Sequence, residues 1–368
     1  MSSVPRLLLF TLPIVFAACA STPPAVSDAA SVGADAQGPV GGPSLREAAA
    51  AKGLLVGAAL SPSHFGEPLY KTVAGREFNA LTPENEMKWV NTEPQRGRFA
   101  FGPGDALVQF ARDNDMKVRG HALVWYQAIP SYLEALPADE LRTAMLDHIK
   151  AVATHWKGQV YAWDVVNEAI EDGSSGMLRR TSVFAKLGPS YLDEAFRAAH
   201  EADPEALLFY NDYDGEAAGS AKSEAIFALV KRLKESGVPI SGVGLQSHLD
   251  PRRLPDYAAV KRNMERLVSL GLTVNISELD VPVGAIDGDM ATKLGRQAEI
   301  YDSFVGTCLQ TTGCTGVTLW GFTDKHSWLN IPEFAQYRGT GPHMPLLFDD
   351  AYNPKPSYVS LRTAIARN

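Results

Sequence analysis

Cysteine is scarce in this sequence, long apolar runs are absent, and neither sign of charge is gathered into a block. Each absence removes a class of protein. The most apolar stretch, LLLFTLPIVFAA at residues 7–18, is too short to span a bilayer securely. No Lys/Arg run forms a phosphate-binding stripe, and 34 basic residues are outnumbered by 42 acidic ones for a net charge of −8, so no nucleic-acid partner is expected. No Walker motif, HExxH or GxSxG appears, and no GxGxxG follows the first strand-like segment. That sets aside the common signatures of phosphoryl transfer, zinc proteolysis, α/β-hydrolase chemistry and dinucleotide binding. No metal or cofactor is implied.

What remains is an ordinary globular composition, 45% hydrophobic and 21% charged, over 368 residues, a length that one large α/β barrel can occupy. The first residues read as an export signal, because Arg6 precedes the apolar run and the run ends in small residues and Cys19. Phe16-Ala17-Ala18-Cys19 resembles a bacterial lipoprotein cleavage box, whose cysteine becomes the lipidated first residue of the mature chain. Ordinary signal-peptidase cleavage with Cys19 discarded is the other reading. No Asp follows Cys19, which points a lipidated chain to the outer membrane. From Ser21 to about Pro43 the residues are mostly small or turn-forming, the composition of a flexible tether. The expected organisation is therefore a signal segment over 1–19, a linker over 20–44 and one folded domain over 45–368. In an oxidising compartment, Cys308 and Cys314 lie close enough in sequence to be expected as a disulfide, with free thiols as the alternative.

Beyond residue 45, short apolar or β-branched segments alternate with stretches of helical periodicity, as in repeated βα units on a parallel sheet. Eight strands are expected, at 54–60, 77–85, 117–125, 161–168, 206–213, 241–248, 272–281 and 315–322. Between them, segments such as SEAIFALVKRLKESG carry the 3.6-residue spacing of an outer helix, closed by Gly237. Eight such units imply a (β/α)8 TIM barrel; a doubly wound open sheet normally has fewer strands.

Almost every expected strand ends in polar, charged or aromatic residues: Glu84 and Asn85, His121 and Trp125, Asn167 and Glu168, Gln246 and His248, Glu278 and Asp280, and Trp320. A TIM barrel gathers its C-terminal strand ends on one face, where active sites are built. Glu168 and Glu278 fall on the fourth and seventh strands, across a narrow mouth. Two carboxylates so placed can flank a glycosidic bond, and opposed strands favour the separation of about 5–5.5 Å that goes with retention of configuration.

The motifs TPENEMKW (82–89), GHALVW (120–125), WDVVNEAIEDG (163–173), NDY (211–213), GLQSH (244–248), ISELDV (276–281), LWGFTDKHSW (319–328) and YNPKPSY (352–358) follow one another in this order. In these the sequence resembles glycoside hydrolase family 10, the endo-β-1,4-xylanases, over about residues 45–365. The resemblance implies a xylan or xylo-oligosaccharide substrate, Glu168 as acid/base, Glu278 as nucleophile, and Asn167 as donor to the sugar 2-hydroxyl. It further implies that Glu84, Asn85 and Lys88 contact the glycone, that His121, Trp125 and Gln246 line the cleavage site, and that Trp320 and Trp328 supply flat faces for sugar rings. Asp280 and His248 are expected to pair and orient the nucleophile. A glycosidase of the same barrel type acting on glucan or mannan chains, and a catalytically silent glycan-binding lipoprotein, are the alternatives; retention of both glutamates argues against the second.

One departure stands out. Where the family commonly has Trp-His-Ser-Gln, this chain reads Trp125-Tyr126-Gln127-Ala128. Loss of the glutamine's hydrogen bond would cost about 1 kcal/mol. Weaker glycone binding or an altered preference for side groups is expected, with Tyr126 or Gln127 compensating.

Overall fold

A computed structural model describes residues 42–173, 176–335 and 342–367. The segment expected to carry the signal, Cys19 and most of the tether lies outside the described residues. Eight parallel strands close into a barrel in chain order: β1 (Leu55–Leu60), β2 (Ala80–Pro83), β3 (Lys117–Trp125), β4 (Ala162–Asn167), β5 (Leu207–Asp212), β6 (Gly242–Leu245), β7 (Thr273–Leu279) and β8 (Cys314–Leu319), with β8 returning to pair with β1. Each expected strand is present. The strands read as continuous buried runs because helices cover their outer faces and side chains fill the inside: every residue of β4 and of β6 is buried.

The helices bury one stripe each. Ser190–Ala202 turns Tyr191, Leu192, Ala195, Phe196 and Ala199 onto the barrel, and Ala221–Glu235 starts at a Ser220 side chain that accepts from the Ser223 amide and is followed by Gly237 at φ 64°. The second strand is shorter than expected, because Glu77 closes the helix Pro68–Glu77 instead of opening β2. Burial explains the difference. Glu77 is fully buried and accepts from the Leu45 amide and the Tyr358 hydroxyl, each at 3.0 Å, so it ties the first and last helices of the domain to the barrel.

Cys308, at the end of the helix Met290–Leu309, is bonded to Cys314 at the start of β8, with Cα atoms 5.5 Å apart. The expected disulfide is formed.

A polar layer crosses the barrel below its C-terminal mouth. Arg119 pairs with Asp164 at 2.5 Å, donates to Asn275 at 2.9 Å, and lies 4.4 Å from the Phe209 ring centroid. Gly244 makes room for this layer: a Cβ there would stand 2.1 Å from Asn211 Oδ1 and 2.7 Å from the Arg119 guanidinium. A buried ion pair is stable only when its remaining donors and acceptors are met, which Asn275 and His121 do here.

Candidate active site

The C-terminal strand ends open into a cleft of about 850 Å³. Of the residues singled out in the sequence, Glu84, Asn85, Lys88, His121, Trp125, Glu168, Gln246, His248, Glu278, Trp320 and Trp328 line it together. Asn167 and Asp280 do not; they sit beneath it and hold residues that do.

Glu168 follows the last residue of β4 at φ 57°, a left-handed conformation that turns its side chain into the mouth. Such a conformation costs a non-glycine residue about 1–3 kcal/mol and persists only where neighbours fix it. Here the Glu168 amide donates to Asn211 O at 2.8 Å, and Arg179 Nε donates to the Glu168 carbonyl at 3.1 Å. Its carboxylate accepts from Trp125 Nε1 at 2.8 Å, Gln246 Nε2 at 2.9 Å and Asn167 Nδ2 at 3.0 Å. Burial pushes the Glu168 carboxyl above the usual carboxylate range, and the buried charge of Asp212 pushes it further, against the pull of Gln246 and Trp125. Glu278 adds to the rise but ranks behind both burial and Asp212, so the facing glutamate is not the main cause.

Glu278, near the end of β7, is gripped on both oxygens. Asn211 Nδ2 donates to Oε1 at 2.7 Å, and His248 Nε2 lies 3.3 Å from Oε2. His248 Nδ1 is 2.8 Å from Asp280 Oδ2, which also accepts from Trp328 Nε1 at 2.7 Å. Burial draws the His248 imidazole down, but Asp280 and Glu278 outweigh it and lift its pKa to about 10. At neutral pH it is therefore an imidazolium, with a proton on each nitrogen, donating to both carboxylates. The expected histidine–carboxylate pair is present, and Trp328 is the third member.

Asn211 was visible only as part of NDY, yet its amide also donates to Asn167 Oδ1 at 2.8 Å, joining the two glutamates through a chain of amides. Ser277 fixes that amide by donating to Asn211 Oδ1 at 2.6 Å. Asn167 is 2% exposed and its amide nitrogen donates to Glu168.

On one flank, Lys88 Nζ bonds Asn85 Oδ1 at 2.9 Å and lies 5.1 Å and 5.7 Å from the ring centroids of Trp125 and Trp320. Burial lowers the Lys88 ammonium pKa against the pull of Glu278, Glu84 and Glu168, and burial raises the Glu84 carboxyl to about 7 against Lys88. On the other flank stand residues that the strand-end reading did not assign: Asp172, Tyr213, Glu216 and Arg253. Arg179 grips Asp172 through two nitrogens at 3.1 Å, Tyr213 donates to the same carboxylate, and Lys222 lies 3.3 Å from the Tyr213 ring centroid. Asp172 and Tyr213 were signalled by their place in EDG and NDY, after β4 and β5; Glu216 and Arg253 lie in none of the motifs. Tyr126 and Gln127 line the wall and bond each other at 2.6 Å, whereas Ala128 is not among the lining residues; it holds φ 47° and its carbonyl accepts from Val90.

Among the described residues, one other cluster brings metal-ligating atoms together: those of His64, Glu67 and His326 lie within 4.8 Å of one another. It does not suit a cation. Glu67 is already bonded by Lys325, Tyr352 and His326, and the imidazoles are stacked 3.7 Å apart at 13°, so their in-plane lone pairs cannot converge on one ion.

Against known proteins, the model of glycosyl hydrolase family 10 matches residues 44–364, nearly the whole barrel. The chain belongs to that family. It is 43% identical over 297 residues to endo-1,4-beta-xylanase B of Thermotoga neapolitana, covering 80% of this chain and 82% of that protein. Among solved structures it is similar to xylanase 10B of Thermotoga petrophila in complex with xylobiose, with a TM-score of 0.82, 41% identity, and 90% and 99% of the two chains covered. Xylanase 10C of Cellvibrio japonicus, solved with xylopentaose, superposes with a TM-score of 0.83 at 32% identity, over 89% of this chain and 70% of that one. The family match starts at Ser44, the residue that caps the helix Leu45–Ala50.

Proposed function

We propose that this family 10 hydrolase is an endo-acting β-1,4-xylanase working by double displacement with retention of configuration. The observation that carries the mechanism is the asymmetry of the two glutamates. Glu168 is buried and raised toward the protonated form, as a general acid requires; Glu278 is held from beneath by an amide and an imidazolium, as a nucleophile with one fixed direction of attack requires. Glu168 protonates the glycosidic oxygen while Glu278 attacks the anomeric carbon, giving a glycosyl-enzyme ester and a free chain end. Esterification removes the Glu278 charge, one of the charges that raise Glu168, so Glu168 loses its proton more readily and deprotonates the incoming water. That water displaces Glu278 and restores the free enzyme.

The xylan assignment is supported by the relatives solved with xylobiose and xylopentaose, and by a cleft lined with the apolar rings of Trp125, Trp320 and Trp328 and the polar groups of Asn85, Lys88 and Gln246. Reducing-sugar release from xylan tests it, with Glu168→Ala and Glu278→Ala as controls. Absence of release by the wild type refutes the enzyme reading and leaves a glycan-binding protein.

We further propose export, with anchoring to the outer membrane through lipidated Cys19. Cys19→Ser then moves the protein from the membrane fraction to the soluble one; an unchanged distribution rejects lipidation.

A further inference from the structure

We propose that Glu216 is a positioning residue that holds the turn carrying both Gln246 and His248, and through it fixes the two glutamates at once. The inference rests on the proposed roles of Glu168 and Glu278. It starts from an interruption in the sheet. The pairing of β5 with β6 ends at Asp212 and Leu245, the Gln246 amide still donates to Asp212 O at 3.0 Å, and pairing with the neighbouring strand resumes at the isolated bridge between His248 and Asp280. Ser247 lies between, at φ 64° and fully buried. A serine holds that conformation only when its surroundings hold it.

The Ser247 amide has lost its ladder partner, and Glu216 Oε1 takes its place at 2.9 Å. Glu216 is itself 7% exposed. Burial and the neighbouring Asp214 push its carboxyl up to about 7, and acceptance from Ser247 works in the opposite direction.

Glu216 is held from the outer layer. Asn263, on the helix Tyr257–Ser269, donates to Gly215 O at 2.8 Å and to Glu216 O at 3.1 Å. The Ala218 amide donates to Ala259 O of the same helix at 3.1 Å. The path is therefore short and entirely bonded: outer helix, Asn263, Glu216, the Ser247 amide, then Gln246 on Glu168 at 2.9 Å and His248 on Glu278 at 3.3 Å. Freed of Glu216, Ser247 relaxes toward an ordinary backbone conformation and both flanking side chains swing. Misplacement of catalytic groups by about 1 Å costs about 100-fold in rate.

The test uses the full chain, an aryl β-xylobioside with a good leaving group, and xylohexaose, each at 25 °C, with thermal unfolding alongside. Glu216→Ala is expected to lower kcat on both substrates by about 10–100-fold with little change in KM. Glu216→Gln keeps an oxygen for the Ser247 amide and is expected to recover most of the activity. If the alanine variant does not fold, Glu216→Asp, which keeps the charge but withdraws the oxygen by one methylene, carries the same expectation of lowered kcat. The inference is overturned if Glu216→Ala turns over the aryl xylobioside at the wild-type rate, if its only defect is KM for xylohexaose, or if alanine and glutamine lower kcat equally. A wild type that turns over neither substrate refutes the functional reading itself, a result separate from any of these.

Discussion

Replacing Asp280 with asparagine keeps the shape of the site and removes one charge, and the structure fixes what should follow. The rise of His248 from 6.5 to about 10 corresponds, at about 1.4 kcal/mol per pKa unit, to about 5 kcal/mol in favour of the imidazolium. Of the interactions that favour it, the charge of Asp280 is the largest, ahead of the contacts with Glu278. An adjacent opposite charge is worth about 1–3 pKa units, so Asp280→Asn should bring His248 down to about 8, while the amide oxygen still accepts from Trp328. Above that pH the variant imidazole is neutral and no longer donates from both nitrogens. Loss of a hydrogen bond to a charged group costs about 1.5–3 kcal/mol, or about 10–100-fold in rate. The assay is kcat/KM between pH 6 and 10 on an aryl β-xylobioside whose leaving group needs no acid, which removes Glu168 from the alkaline limb. The wild type is expected to stay level to about pH 9 and the variant to fall from about pH 8. The same sign holds for folding. A raised native pKa contributes stability that is complete below pH 6.5 and lost as pH rises through about 10; the variant loses its share by about pH 8, so the wild-type advantage over Asp280→Asn is level below about pH 8 and narrows between there and about 10. Superimposable alkaline limbs would refute the imidazolium assignment.

Asn211→Ala removes the donors to Glu278 and Asn167; because Asn211 is buried and does not line the cleft, kcat should fall about 10–100-fold with KM for xylohexaose little changed. Gln127→Ala should do the reverse, raising KM about fivefold, the equivalent of one hydrogen bond of about 1 kcal/mol, with kcat intact. Paired Cys308→Ser and Cys314→Ser substitutions open a loop closed across 6 positions and should cost about 2 kcal/mol in denaturant unfolding without altering kcat.

The barrel was legible because a strand buried on both faces is a short unbroken run of apolar and β-branched residues, and eight such runs are hard to arrange otherwise. The same logic placed Glu168, Glu278 and the residues at the other strand ends around one mouth. Glu77 misled by its position: a buried glutamate before a strand looks like the strand's first residue until its partners, Leu45 and Tyr358, are known. The contributions of Asp212 to Glu168 and of Asn211 to Glu278 were illegible for a related reason. Those pairs are 44 and 67 residues apart, and only closure of the barrel decides which of many buried polar side chains meet. Asn167 shows the converse, since the motif assigns its amide to a sugar hydroxyl, whereas it lies beneath the cleft lining and that amide donates to Glu168. Tyr126 and Gln127, the residues beside the missing glutamine, both stand on the cleft wall.

The central claim, that Glu168 and Glu278 act as acid/base and nucleophile in a retaining cleavage, is tested most directly by following xylohexaose hydrolysis by proton NMR within the first minutes, before the sugar anomers equilibrate. Two displacements at the anomeric carbon predict that the newly formed reducing end appears as the β-anomer and only later drifts toward the equilibrium mixture. Initial appearance of the α-anomer would mean a single displacement by water, and Glu278 would then be a base and not a nucleophile.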